Sequence, residues 1–139
     1  MTAFWWALLT AGIWGIVPLL EKLGLAKSDP VLGVFARSLG VVAGVVGWAM
    51  WWSPWKALGA MSLRSFALLA TSGFLASVVG QLAFYHALKA GSISQVTPVA
   101  GAYPLIAALF GWFVLREVMN PARVLGVGCI VLGVWLLRH

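Results

Sequence analysis

Charge is scarce in this sequence: of 139 residues, 9 are Lys or Arg and 3 are Asp or Glu, where a water-soluble domain carries roughly a quarter charged residues. That shortage excludes an aqueous enzyme built around one buried core. With 63% of residues hydrophobic, it excludes a disordered chain as well. Cysteine is nearly absent too: Cys129 stands alone, so no disulfide can close within the chain and a secreted, disulfide-stapled scaffold is ruled out. The net charge of +6 does not mark a nucleic-acid binder, because the cations sit singly at the ends of apolar runs instead of forming a basic patch interleaved with aromatics. A Ser-His-Asp set, an HExxH helix, a cysteine pair and a phosphate-binding glycine loop are all missing. An enzyme is therefore not expected, nor a cofactor or a metal site.

What fills the sequence instead is apolar and long. Residues 65–88 and 90–115 contain no Asp, Glu, Lys or Arg, the pattern of helices that span a bilayer. The first apolar run, residues 3–22, has no basic region before it and no small-residue closure. It is expected to be a retained span rather than a signal peptide, with Trp5 and Trp6 in the interfacial aromatic belt. Asp29-Pro30 is an N-cap followed by proline at the first helical position, which starts a second span over residues 30–52. Its exit is marked by Trp48, Trp51, Trp52 and Trp55 around Ser53-Pro54. A short polar connection leads to a third span, residues 65–88, and a tight turn to a fourth, residues 94–115, which contains Pro98 and Pro104. Arg116-Glu117 closes it, and Asn120-Pro121 opens a fifth over residues 121–137. The expected fold is an all-α integral membrane protein, five transmembrane helices in one domain of residues 1–139, with spans that fit a hydrocarbon core of roughly 30 Å.

Five spans place Lys22, Lys27, Lys89 and Arg138 on one face, with Arg37 slightly inside it, and Lys56, Arg64, Arg116 and Arg123 on the other. Such an even split leaves no positive-inside bias, so insertion in either direction stays open. Small residues at helix-packing spacing occur at Gly40 and Gly44, at Ser72, Ala76 and Gly80, and at Ala122 and Gly126. They suit either packing within the chain or contact with another subunit.

Polar groups inside a span cost about 2.5 to 3.5 kcal/mol for a central Arg on insertion scales, so each is a candidate site. Arg37 either snorkels or pairs with Glu21, or it faces an anionic substrate or lipid phosphate. Ser77, Gln81 and Tyr85 recur every four residues on one face; His86 is turned away, at the interface. Thr97, Gly101 and Pro104 share a face of the fourth span, where Pro104 is expected to kink the helix, and Tyr103 points elsewhere. Antiparallel neighbours put Glu21, Arg37, Gln81, Tyr85, His86 and Tyr103 at one depth, a polar vestibule whose deeper end Trp14 and Pro18 could line. No carboxylate lies near the middle of a span, so a central acid exchanging protons for a cationic drug is missing.

The ordered set Gln81-Leu-Ala-Phe-Tyr85, Gly91-Ser-Ile-Ser-Gln-Val-Thr-Pro98, Tyr103-Pro104, Leu115-Arg-Glu117 and the Gly126, Gly128 and Gly133 helix resembles the EamA repeat of the drug/metabolite transporter superfamily. Trp14-Gly15 and the segment from Pro18 to Lys22 resemble the start of the same repeat. The likeness implies transport of small metabolites, drugs or lipid-linked sugars, usually through a cavity between two inverted repeats. This chain carries one repeat. The resemblance thus implies a half-size transporter, a homodimer or a heterodimer with another one-repeat protein, working by alternating access in the bacterial cytoplasmic (inner) membrane. Membrane lipids and a small-molecule or lipid-linked substrate are its implied partners. By the same likeness Trp14, Gln81, Tyr85, Tyr103 and Pro104 would line the path, and Glu117 would pair with Arg116 or Arg123 or meet substrate. Small multidrug resistance proteins, relatives of similar length, use an acid within the first helix that is missing here. The alternatives are a flippase subunit for polyprenyl-phosphate-linked sugars, with Arg37 at the phosphate, and a non-transporting membrane subunit or scaffold.

Overall fold

The computed structural model describes residues 2–118 and 120–137, the Lys56 side chain apart. Arg138, and the side chain of Lys56, assigned above to opposite faces, lie outside what is described. Every regular element among the described residues is a helix, with no strand. The chain divides into two compact units, Met1–Ala90 and Gly91–His139.

In the first unit, α1 spans Ala3–Gly24 and runs into a single 3-10 turn, Leu25–Lys27. Pro18 lies inside α1 and is buried; lacking an N–H, it leaves the carbonyl one turn earlier without a helical partner. α2 spans Pro30–Trp52. Its start follows from the Asp29-Pro30 pair: the Asp29 carboxylate accepts from the Val31 N–H at 2.8 Å, and proline contributes no unsatisfied donor at the first position. Its end is Ser53, in the left-handed region at φ 46° and ψ 61°, whose N–H returns to the Ala49 carbonyl. Pro54 then forbids continuation.

The short polar connection contains a short helix, α3, Trp55–Gly59. The third span begins earlier than its uncharged run, because Ser62 caps it: Ser62 Oγ accepts from the Ser65 N–H at 3.1 Å. It comprises α4, Leu63–Phe74, a wide π turn at Leu75–Gly80, and α5, Gln81–Ala90. In that turn the Leu75 carbonyl lies 3.2 Å from where a Cβ on residue 80 would stand, and glycine there leaves it room.

The core of this unit sits at one end, where α1 finishes, α2 begins and α5 finishes. Leu25, Val34, Tyr85 and Leu88 are its buried side chains, Leu88 completely so. Gly33 lets α2 come close: a Cβ there would stand 2.8 Å from Leu25 Cδ2 and 2.9 Å from Tyr85 Cε2. Lys22 Nζ donates to the Leu88 carbonyl, and Lys89 Nζ to the Ser28 carbonyl at 2.8 Å. The first bond ties the last turn of α1 to that of α5 and satisfies a carbonyl that a helix end leaves without a partner; the second ties the end of α5 to the α1–α2 connection. Elsewhere the helices are apolar on every side and exposed, as a lipid-facing surface is.

In the second unit the expected kink is a full break. α6, Ile93–Ala100, stops, and α7, Tyr103–Phe113, starts afresh with Pro104 in its first turn. Gly101 and Ala102 form the corner, their N–H groups returning to Thr97 and Val99 carbonyls at 2.7 and 3.2 Å. A proline fits the first turn of a new helix without losing a bond, so breaking is cheaper than bending. α8, Pro121–Leu136, is capped by Asn120, whose side chain accepts from the Arg123 N–H at 2.8 Å.

Four stretches, Ala3–Lys27, Pro30–Trp52, Leu63–Ala90 and Ile93–Phe113, are long and apolar enough to cross a membrane. α8 is apolar but has 16 residues, about 24 Å of helix.

Candidate functional site

The first unit gathers four polar side chains from three membrane-length helices. Glu21, one turn before the end of α1, is the centre. Its Oε1 accepts from Gln81 Nε2 at 2.7 Å and from the Tyr85 hydroxyl at 3.1 Å. Gln81 and Tyr85 reach the same oxygen because they are four residues apart on α5, one above the other. Arg37, on α2, brings its Nε to 3.6 Å from that oxygen. The Glu21 side chain is 8% exposed and that of Arg37 33%, so the acid is the more enclosed of the pair.

Charge explains why the four belong together. A carboxylate in this setting is costly alone; a guanidinium beside it and two hydrogen bonds to one oxygen offset that cost. The Nε–Oε1 separation exceeds hydrogen-bond length, so the pair is held by Coulomb attraction and not by a fork of bonds. Arg37 Nη1 is buried and has no hydrogen-bond partner.

A cavity of about 470 Å³ lies against this cluster. Glu21, Arg37, Tyr85 and Ser28 supply its polar lining, and Gly24, Leu25 and Gly33 are among the rest. The same glycine that admits Tyr85 to α2 lies one turn before Arg37 on the same helix face and is among the cavity's lining residues.

The remaining sequence candidates fall in different places. Ser77 sits inside the wide turn and makes none of the cluster's hydrogen bonds, since an extra residue per turn rotates it off the Gln81–Tyr85 face. His86 is exposed. Pro18 is buried in α1 while Trp14 is exposed, and neither lines the cavity. A Cβ added at Gly40, Gly44 or Gly126 would meet nothing within 4 Å. Ala76 and Gly80 fall in the π turn.

Tyr103 and Pro104 belong to the second unit and open α7 there; Tyr103 is exposed. Glu117 forms no ion pair with Arg116 or Arg123. Arg116, at φ 54°, folds the chain back so that the Glu117 N–H donates to the Gly111 carbonyl at 3.0 Å. Its carboxylate covers Gly111, and Arg123 Nη1 donates to the Val118 carbonyl at 3.0 Å. Backbone geometry therefore takes both charges away from each other. A second cavity, about 740 Å³, lies between α7 and α8 with Trp112, Arg116 and Glu117 in its lining. Thr97 has a buried hydroxyl without a partner. Among the described residues no three of His, Cys, Asp and Glu come together as a metal site.

Sequence reasoning did not single out Ser28 or Gly33. The signal for Gly33 was its spacing, four residues before Arg37 and three after the Asp29-Pro30 start.

Long apolar helices enclosing a charged pair are the build of a multi-pass integral membrane protein. The family model of the EamA-like transporter family matches residues 1–138, and the chain belongs to that family. Probable magnesium transporter NIPA9 of Arabidopsis thaliana is 39% identical over 66 residues, which cover 44% of this chain and 19% of that protein. The chain thus spans a small part of that relative's length. No solved structure matches it. The matching family and the relative are both named as transporters.

Proposed function

We propose that the chain is a half-size transporter whose α8 is a fifth span, and that two such chains complete one path by alternating access. The observation that carries this reading is the Glu21–Gln81–Tyr85–Arg37 cluster at the wall of a 470 Å³ cavity. A polar cluster in a bilayer costs stability, and a space beside it large enough for a small solute is a use that repays the cost. One repeat supplies one wall of the path, so a second chain, identical or another one-repeat protein, supplies the other. In this reading the protein works in the bacterial cytoplasmic membrane.

The name of the Arabidopsis relative raises magnesium as a cargo. Mg²⁺ keeps most of its waters and is held by carboxylates; here the membrane acid is balanced by a guanidinium 3.6 Å away, which repels a dication. The cluster therefore favours a solute that is not a metal cation.

Proteoliposomes loaded with a mixed pool of small metabolites and followed by mass spectrometry test the reading. Selective loss of particular solutes, absent from protein-free vesicles and from Glu21→Ala vesicles, is the expected result. Retention of the whole pool ends it, and co-purification of a stoichiometric larger partner would then favour a scaffold. The dimer is tested in a Cys129→Ala background with single cysteines at positions 27 and 56. Labelling of each from both sides of the membrane gives an antiparallel pair, and labelling from one side only gives a parallel copy or another protein.

A further inference from the structure

We infer that Arg37 is the docking cation of this cavity, taking an anionic group, phosphate or carboxylate, of the molecule the protein binds. The inference deepens the transporter reading and rests on it for the view that the bound molecule is cargo.

Three observations converge. The first is an unmet donor: Arg37 Nη1 is buried without a partner. A guanidinium presents five N–H donors and no acceptor, so what satisfies it must supply oxygen lone pairs. The second is that Glu21 does not satisfy it. Glu21 Oε1 is already taken by Gln81 and Tyr85, and Arg37 Nε stands at 3.6 Å, so the carboxylate balances the guanidinium's charge without occupying its fork. The third is the field. Four cations, Lys22, Lys27, Arg37 and Lys89, stand at this end of α1, α2 and α5 against two acids, Glu21 and Asp29, and one oxygen of Asp29 is committed to the Val31 N–H. A cleft with surplus positive charge and apolar walls concentrates anions.

The cavity has room for such a group beside Arg37, with Ser28 also among its lining residues. Two oxygens on one phosphorus or carbon match the planar fork, which a point-charge ammonium does not. The anionic group can arrive on a free solute or on a lipid headgroup entering from the bilayer, the latter being the flippase reading.

The test uses Ser28→Cys in a Cys129→Ala background, in nanodiscs of phosphatidylcholine, and reads the rate at which a charged thiol reagent labels position 28. Sodium phosphate is expected to slow labelling relative to sodium chloride at equal ionic strength. Adding Arg37→Gln is expected to raise the phosphate needed by about ten- to a hundredfold, the worth of a hydrogen-bonded charged pair. Arg37→Lys, which keeps the charge if the Gln variant does not fold, is expected to weaken protection but retain it. A second set of nanodiscs contains phosphatidic acid. Protection there without added phosphate identifies a lipid headgroup as the source; protection by free phosphate alone identifies a soluble anion. Labelling that phosphate and phosphatidic acid leave at the chloride rate overturns the inference, as does equal protection in wild type, Arg37→Gln and Arg37→Lys. Protection without solute flux from proteoliposomes keeps the anion site and removes the transporter reading, and flux without protection does the reverse.

Discussion

The two units of the chain are held together by different means. In residues 1–90, Leu25, Val34, Tyr85 and Leu88 are buried at one junction of three helices, with a charged pair beside them. In residues 91–139 the buried position among the described residues is a glycine, Gly111, covered by the Glu117 carboxylate. Turn and cap geometry does the rest there: the Gly101–Ala102 corner, the left-handed Arg116 and the Asn120 cap. In lipid, apolar burial gives no general drive for helices to associate, so the place where side chains pack and hydrogen-bond across helices is where specificity resides. The difference places the cross-helix packing of the described residues at the α1–α2–α5 junction.

Substitutions can break that contrast or sharpen it. Leu88→Ala, which empties a fully buried position, is expected to cost the most, about 2 to 5 kcal/mol, read as a lowered midpoint in denaturing-detergent titration. Leu125→Ala, at a position 70% exposed in the second unit, is expected to stay within about 0.5 kcal/mol. Equal losses would show that both units have cores of the same kind.

Glu21→Leu removes the acceptor shared by Gln81 and Tyr85 and leaves Arg37 without its counter-charge. The expected loss is about 1 to 3 kcal/mol, with thermal unfolding in mild detergent as the measurement. An unchanged midpoint would mean that the cluster is not formed in the folded protein. Gly33→Ala forces a Cβ to within 2.8 Å of Leu25 Cδ2, and overpacking costs about 1 to 3 kcal/mol before the roughly 1 kcal/mol that alanine returns to a helix. Gly111→Ala meets the end of a flexible Glu117 side chain at 3.3 Å and should be close to neutral by the same assay.

Asn120→Ala deletes the α8 cap and is expected to cost about 1 kcal/mol. The smallest effect falls on Gly44→Ala, which meets nothing within 4 Å and should leave the stability of one chain unchanged. Should it nevertheless shift a monomer–dimer equilibrium measured by single-molecule photobleaching, that open face of α2 is a subunit contact.

Much of this was legible residue by residue. Asp29-Pro30 and Asn120-Pro121 announced helix starts because caps act on the nearest backbone groups, and both side chains make the expected bonds. The spacing of Gln81 and Tyr85 announced a shared face because α5 is a regular helix. Ser77 failed to join it because a π turn intervenes, and nothing in a pattern of 3.6 residues signals a widened turn. Pro104 marked a disturbance of the fourth span, but whether a proline bends a helix or begins a new one depends on the corner that Gly101 and Ala102 adopt.

By itself the sequence determined that the chain is apolar, helical and membrane-embedded, since charge content and hydrophobic run length act locally and add along the chain. It also carried the family. The tertiary structure alone decided that one oxygen of Glu21 accepts from two residues 60 and 64 positions away, that Arg37 stays just beyond hydrogen-bond reach of it, and that Glu117 turns from its neighbouring arginines. Those outcomes depend on how closely helices approach, which here turns on the missing side chain of Gly33, and on which rotamers the packed junction permits.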